Sequence, residues 1–268
     1  MPDVSVVIPT FRRPQLLLQA IDSALGQAGV SVEVLVVDDS PEGSARESVS
    51  ALGDARVSYI KHEPPTGGRP AVVRNSAWPR ARGRFVHFLD DDDRAASGYY
   101  RAAVEAFDSS GCGVVFGQIE PFADGAPDSL QHERAFFENA TRRARFASRV
   151  PSRRWLVANL LFKQTLLVNS ACLIRRECVA ALGGYNPQVG LNEDVDFFCR
   201  AIRSYGFEFL DQVVLHYRIL PDSLIHGRKD NEKLIQSYYE MQRCYRQAHG
   251  ATELFALKAL ARTLLRAT

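Results

Sequence analysis

Three short valine-rich runs, each halted by a breaking or acidic residue, constrain the fold of this chain more than any other feature. Val4–Ile8 stops at Pro9, Val32–Val37 at Asp38-Asp39-Ser40, and Arg84–Leu89 at Asp90-Asp91-Asp92-Asp93. Continuous apolar runs of this length suit strands buried on both faces of a parallel sheet. Between the first two, Pro14–Gln27 carries Leu17, Ile21 and Leu25 at i, i+4 and i+8, with Pro14 placed to open a helix. Strand, helix and strand form a βαβ unit, and Val57–Ile60 adds a further strand. The expected fold class is therefore α/β, with a Rossmann-like, mostly parallel central sheet flanked by helices. The second half is less regular. Gly113–Phe122 and Gln164–Ile174 read as strands, Asp194–Tyr205 as a helix, and Asn231–Ala248 and Thr252–Arg266 as two terminal helices. The strand-and-helix alternation ends near Gly117, which sets expected divisions at 1–117, 118–223 and 224–268.

Composition narrows the functional classes. With 46% hydrophobic and 24% charged residues the chain is that of a folded globular protein. Its 33 basic and 31 acidic residues give a net charge of +2, which supplies no global attraction for nucleic acid. Cys112, Cys172, Cys178, Cys199 and Cys244 are odd in number and lack CxxC spacing, so they read as small buried hydrophobes in a reducing compartment. The beginning MPDVSVVIPTF has no signal-peptide pattern, and no apolar run approaches the roughly 18 residues of a membrane span. A cytoplasmic protein that does not cross a membrane is expected. The turn Pro9–Pro14 lacks GxGxxG, which argues against dinucleotide oxidoreductases, and GxxxxGK[ST], GxSxG and HExxH are absent.

The strand ends carry the chemistry. Ligands of open α/β sheets bind beyond the carboxyl ends of the strands, and here those ends bear carboxylates. Four consecutive aspartates repel one another unless a cation or hydrogen bonds compensate. In an extended segment Asp90 and Asp92 would face one side and Asp91 and Asp93 the other. Mg²⁺ or Mn²⁺ uses one or two carboxylates, keeps waters and completes its shell with phosphates, which suits a nucleoside diphosphate substrate. A solvated acidic turn is the alternative. Asp38 and Asp39 alone are equally compatible with a cap or turn. Arg74-Asn75 could meet phosphate or ribose.

These residues resemble a family 2 inverting glycosyltransferase with the GT-A fold. The matching segments occur in family order: VSVVIPTFRRP at 4–14, VEVLVVDDS at 32–40, VVRNSAWPRARGRFVHFLDDDD at 72–93, NSACLIRRECVAALGGYN at 169–186, NEDVDFFCRAIRSYGF at 192–207 and VVLHYRILPDS at 213–223. The resemblance implies a nucleotide-sugar-binding subdomain over 1–117, an acceptor and catalytic-base subdomain over 118–223, and a helical extension over 224–268. It also implies that Pro9, Thr10 and Phe11 hold the nucleoside, that Asp39 bonds the base, and that Arg74 lies near the nucleotide. Asp90-Asp91-Asp92 matches the DxD motif, with Asp92 the principal metal ligand and Asp90 and Asp91 near metal, ribose or sugar. Asp194, in the Glu193-Asp194 element, matches the catalytic base; without the resemblance this pair reads as a helix-start charge cluster.

The implied reaction is a single displacement at the anomeric carbon, from a UDP-, dTDP- or GDP-sugar to a saccharide, lipid-linked or small-molecule hydroxyl, assisted by Mn²⁺ or Mg²⁺. UDP is the commonest donor nucleotide in the family. A non-catalytic nucleotide-sugar-binding module and a metal-dependent phosphatase or nucleotidyltransferase are the rival readings; Arg94 stands where the phosphatase DxDx[TV] pattern needs Thr or Val.

The sequence departs from the family at Leu220, where relatives carry a metal-binding histidine after the Tyr217-Arg218 pair. His216 and His226 are substitutes from the same region, each more simply a structural or solvated residue. Arg69 in Gly67-Gly68-Arg69-Pro70 is a further phosphate contact to test. Arg142, Arg143, Arg145, Arg149, Arg153 and Arg154 read as a flexible solvated loop, or else as a lid favouring phosphate or an anionic membrane face. The last helix places Leu254, Leu257, Leu260 and Leu264 with Phe255 on one broad face, and Lys258, Arg262 and Arg266 on another. Packing on the domain or in a homodimer is the default for it, and peripheral membrane contact the alternative.

Overall fold

The computed structural model describes residues 1–125, 129–150, 152–163, 167–220 and 231–263. The expected runs become strands β1 (Val4–Thr10), β2 (Val32–Asp38), β3 (Val57–Lys61) and β4 (Phe85–Phe88). They are joined by helices α1 (Pro14–Leu25), α2 (Arg46–Ala51) and α3 (Pro70–Ala77). After β4 come β5 (Arg94–Ala95), α4 (Tyr99–Ser110), β6 (Val114–Phe122), α5 (Ser129–Arg149), α6 (Arg153–Phe162), β7 (Cys172–Arg175), α7 (Arg176–Leu182), α8 (Glu193–Tyr205), β8 (Phe207–Arg218), α9 (Asn231–His249) and α10 (Ala251–Thr263).

One eight-stranded sheet runs in the order β3-β2-β1-β4-β7-β6-β8-β5. β1 pairs in parallel with β2 and β4, and β2 with β3, whereas β7 is antiparallel to both β4 and β6. Alternate residues of the apolar runs feed two cores. Val7, Leu35, Val37, Val86 and Phe88 pack on one face, while Val4, Val6, Ile8, Val34, Val36 and Phe85 pack on the other. Double-sided burial explains why these strands read as largely apolar runs, broken only by buried Ser5, Glu33 and His87, rather than as alternating ones.

The expected boundary at Gly117 falls inside β6, at a register shift against β8, and the sheet continues through it. A Cβ at Gly117 would lie 2.4 Å from Val214 Cγ1, so the glycine permits the close approach of β8 at the bulge. The expected division at 223/224 lies outside the described residues.

Two expectations are corrected. Gln164–Ile174 is not one strand: a 3-10 turn at Asn169–Ala171 leads into β7, and residues 164–166 are outside the described set. The arginine-dense segment is not a loop but spans the end of α5 and the start of α6. Ala140, Ala144 and Ala147 on α5 are buried, a helical stripe of small residues that the arginines obscure in the sequence. Arg143 bonds Asn159, Arg145 pairs with Asp211 at 2.8 Å, and Arg154 pairs with Glu253 at 2.7 Å.

The packing reading of α10 holds for Leu257, fully buried, and for Leu254 and Leu260, which lean on the core. Phe255 departs from it, being 75% exposed. Leu264 and Arg266 lie outside the described residues, and no described helix is long and apolar enough to cross a membrane. All five cysteines are free; four are buried and Cys244 is half-buried, as expected for packing residues.

Candidate active site

The parallel register brings Thr10, Asp38-Asp39 and the 90–93 turn to the same edge of the sheet. Thr10 sits opposite Asp38, and Val7 opposite Phe88 just before the aspartates. Strand order reverses between β1 and β4, so the acidic turn sits at a topological switch point where α/β sheets bind ligands.

The four aspartates divide as their numbering suggests: Asp91 and Asp93 are buried, Asp90 and Asp92 half-buried. The cause differs from the expected one, because the segment is a turn closed by the Asp93 N–H to the Asp90 carbonyl at 3.3 Å, not an extended strand. Each carboxylate meets a partner from a different element. Thr10 Oγ1 donates to Asp91 at 2.6 Å, Arg13 Nη1 to Asp92 at 2.8 Å, Arg74 Nη2 to Asp90 at 2.7 Å, and the Arg218 N–H to Asp93 at 3.0 Å. Arg218 also donates to the Asp92 carbonyl at 2.9 Å and pairs with Asp124, while Ser170 Oγ accepts the Asp90 N–H at 3.1 Å.

Burial nevertheless dominates the titration of this turn. It pushes Asp91 up to about 7, helped by the charge of Asp92 and opposed by Thr10 and Arg13. Asp92 is raised and Asp93 raised well above the usual carboxylate range, chiefly by burial and then by their acidic neighbours.

Arg74 joins two motifs that are far apart in sequence. It is buried, with Nη2 on Asp90 and Nη1 on Glu193 Oε1 at 2.8 Å, and its guanidinium lies 5.4 Å from the centroid of the Tyr185 ring. The neighbouring Asn75 brackets Tyr185, donating to its carbonyl at 2.8 Å and accepting its N–H at 2.9 Å. Gly184 makes this possible. It has φ +75°, and a Cβ there would lie 2.4 Å from Asn75 Oδ1. The Tyr185 hydroxyl donates to Asn169 at 2.6 Å, and Asn169 donates to the Phe88 carbonyl at 2.8 Å, which ties this scaffold to the end of β4.

Glu193 and Asp194 begin α8, where the helix dipole favours negative charge. Glu193 is buried against Arg74, while Asp194 is half-buried and accepts the N–H of Val195 at 2.7 Å. Burial, and secondarily the charge of Glu193, pushes Asp194 up to about 7 despite Arg74.

The remaining expected residues are placed as follows. Pro9 is half-buried, Thr10 is buried on Asp91, and Phe11 is 45% exposed at the rim. Asp39 is buried, accepting from the Thr66 N–H at 2.8 Å and its hydroxyl at 2.7 Å. Asp38 ends β2 and holds the turn that follows, accepting from Ser40, the Ala45 N–H and the Tyr59 hydroxyl. Arg69 donates to the Pro187 carbonyl at 2.8 Å. His216 pairs with Glu120 at 2.9 Å, Leu220 is half-buried, and His226 lies outside the described residues.

Sequence reading passed over Arg13, Thr66, Ser170 and Tyr185. Arg13, Ser170 and Tyr185 lie inside the segments that carry the resemblance, and only the tertiary contacts distinguish them from their neighbours. A fit to a divalent cation rests on Asp90 and Asp92, hard oxygen donors half-buried on the turn. Among the described residues no group of three His, Cys, Asp or Glu side chains is arranged to hold a metal, so any such ion would draw its remaining ligands from substrate and water.

Comparison with known proteins identifies the family. Residues 5–178 match the family described as glycosyl transferase family 2. The chain belongs to that family. It is 34% identical over 120 residues to the succinoglycan biosynthesis protein ExoO of Rhizobium meliloti, covering 45% of this chain and 34% of that protein. It is 38% identical over 100 residues to the GalNAc(5)-diNAcBac-PP-undecaprenol beta-1,3-glucosyltransferase of Campylobacter jejuni, covering 37% of this chain and 32% of that one. These matches span about a third of the relatives' length. The GT-A fold is shared with S. aureus TarS at a TM-score of 0.68 and 16% identity, over 98% of this chain and 43% of TarS. It is shared also with the mannosyltransferase PcManGT of Pyrobaculum calidifontis, solved with GDP-Man and Mn²⁺, at 0.57 and 17% identity, over 100% of this chain and 76% of that one.

Proposed function

We propose that this family 2 chain is an inverting glycosyltransferase that moves a sugar from a nucleoside diphosphate, UDP first among the candidates, to a hydroxyl acceptor. The observation that carries the reading is the Arg74 bridge, which sets the Asp90 turn and the Glu193-Asp194 helix start on either side of one buried guanidinium. On this reading residues 1–117 hold the donor and 118–223 supply the base and acceptor contacts. Structures of TarS residues 1–349 with UDP-GlcNAc and of PcManGT with GDP-Man show that this fold accommodates nucleotide sugars in those proteins.

Asp194 acts as general base. A carboxylate whose proton leaves near pH 7 has the basicity to take the acceptor hydroxyl's proton as the oxygen attacks the anomeric carbon from the face opposite the diphosphate. Glu193 and Arg74 position it, and the α8 dipole stabilises its ionised form. Pro9, Thr10, Phe11 and Asp39 bind the nucleoside, with Thr66 keeping Asp39 oriented as an acceptor. Asp92 and Asp90 would hold Mn²⁺ or Mg²⁺, which when bound would neutralise charge on the leaving diphosphate. Asp91, hydrogen-bonded to Thr10, fixes the turn.

The test is transfer and donor hydrolysis across UDP-, GDP- and dTDP-sugars, with and without Mn²⁺, in the wild type, Asp92→Ala and Asp194→Asn. Asp92→Ala is expected to lose metal-linked nucleotide affinity, and Asp194→Asn to lose turnover while still binding donor. Wild-type transfer rates in Asp194→Asn would remove the base from this scheme.

A further inference from the structure

The four partners of the acidic turn are not equivalent, and the difference assigns a role to Arg13. Thr10 and the Arg218 N–H are neutral donors within the core, and the Arg74 side chain is 5% exposed and locked between two carboxylates. Arg13 alone among these four is a cation at the open rim. Its side chain is 32% exposed, and Nη1 lies 2.8 Å from Asp92 and 3.6 Å from Asp91. It stands at the N-cap of α1, immediately before Pro14, with its side chain reaching the acidic turn. A guanidinium carries five donors, and one on Asp92 leaves others for a second anion.

We infer that Arg13 is a built-in counter-cation which occupies Asp92 in the ligand-free protein, gives that carboxylate up to a divalent cation, and turns to the donor's diphosphate. The inference rests on the site reading above and adds a residue to it. The electrostatics favour such a group. Asp90, Asp91 and Asp92 are consecutive and repel one another; Arg74 meets Asp90, and Arg13 is the cation that meets Asp92. A fixed cation such as Arg74 would keep Asp92 permanently engaged, whereas a half-exposed arginine at the rim can exchange one anionic partner for another at little cost in desolvation.

The experiment measures Mn²⁺ binding to the full chain by electron paramagnetic resonance, and UDP and GDP binding by calorimetry, for the wild type, Arg13→Gln, Arg13→Lys and Asp92→Asn. Melting temperatures verify that each variant is folded. Removing the competing cation is expected to tighten Mn²⁺ binding in the absence of nucleotide by about tenfold in Arg13→Gln. The same variant is expected to bind the favoured nucleotide about tenfold more weakly, with Arg13→Lys between it and the wild type. Asp92→Asn should abolish the gain in Mn²⁺ affinity when combined with Arg13→Gln. Unchanged or weaker Mn²⁺ binding by Arg13→Gln, or unchanged nucleotide affinity, overturns the role assigned to Arg13. Absence of Mn²⁺ binding in both wild type and Arg13→Gln overturns it too, while sugar transfer by the same wild-type protein would keep the proposed function standing.

Discussion

The two acidic segments of the site are built on opposite plans. The 90–93 turn is surrounded by partners drawn from β1, the start of α1, α3 and the end of β8, so each carboxylate is held from a different direction. Among the described residues, the acidic pair at the start of α8 has one charged external tie, Arg74 on Glu193, while Asp194 accepts the N–H of Val195 in its own helix. The contrast matches the tasks proposed for them. A group that binds a cation and a diphosphate gains from being preorganised, because geometry fixed during folding is not charged against binding. A base must exchange its proton every cycle, and a counter-ion on Asp194 would hold it ionised and weaken it as a proton acceptor.

Asp194→Asn breaks this contrast most severely. Transfer is expected to fall by about 10³-fold, within the range for removal of a general base, while donor affinity measured by calorimetry stays near wild type. Arg74→Gln follows. It strands buried Glu193 and half-buried Asp90, and loss of one partner from such an arrangement costs about 3–5 kcal/mol in denaturant unfolding. Arg74→Lys should recover part of the stability but not both contacts, since an ammonium lacks the forked geometry.

Gly184→Ala is expected to cost about 2 kcal/mol, from left-handed backbone strain and collision with Asn75, and to lower transfer by disturbing the Tyr185 scaffold. A circular-dichroism melt and a transfer assay on the same sample separate the two effects.

The pH dependence is subtler and has two signs. In the rate, kcat/KM should rise with pH and level off above about 7 as Asp194 loses its proton. Stability of the ligand-free protein should move the other way. Asp91 and Asp194 titrate near 7 when folded and near the ordinary carboxylate range when unfolded, so the folded state holds extra protons between those limits. Their contribution is fully present below about pH 4 and is lost as pH rises through about 7, which denaturant titrations at pH 5 and 8 would reveal. The smallest effect is expected at the periphery. Phe255→Ser, on an exposed side chain, should change stability by less than about 0.5 kcal/mol, whereas Leu257→Ala on the buried face of α10 should cost about 2–5 kcal/mol.

Much of the first half was legible from residue order. β1, α1, β2, β3 and β4 fall within a residue or two of the expected runs because their apolar patterns are local and dense. α5 was hidden, since its buried stripe is made of alanines beneath a dense set of arginines. The short, antiparallel β7 was overextended because its pairing with β4 and β6 is a long-range choice that no local periodicity records.

The sequence by itself determined that carboxylates would stand at strand ends, since runs dominated by valine and other apolar residues are buried on both faces and the acidic clusters at 38–39 and 90–93 follow where those runs stop. It also supplied the α8 start, where acidic residues meet a helix dipole. Only the tertiary structure decided which charge faces which. Arg74 is drawn to Asp90 and Glu193, and Arg13 to Asp92, by proximities across 16, 119 and 79 residues of chain. Electrostatic partnership depends on distance and burial in space, and neither is written in the order of the residues.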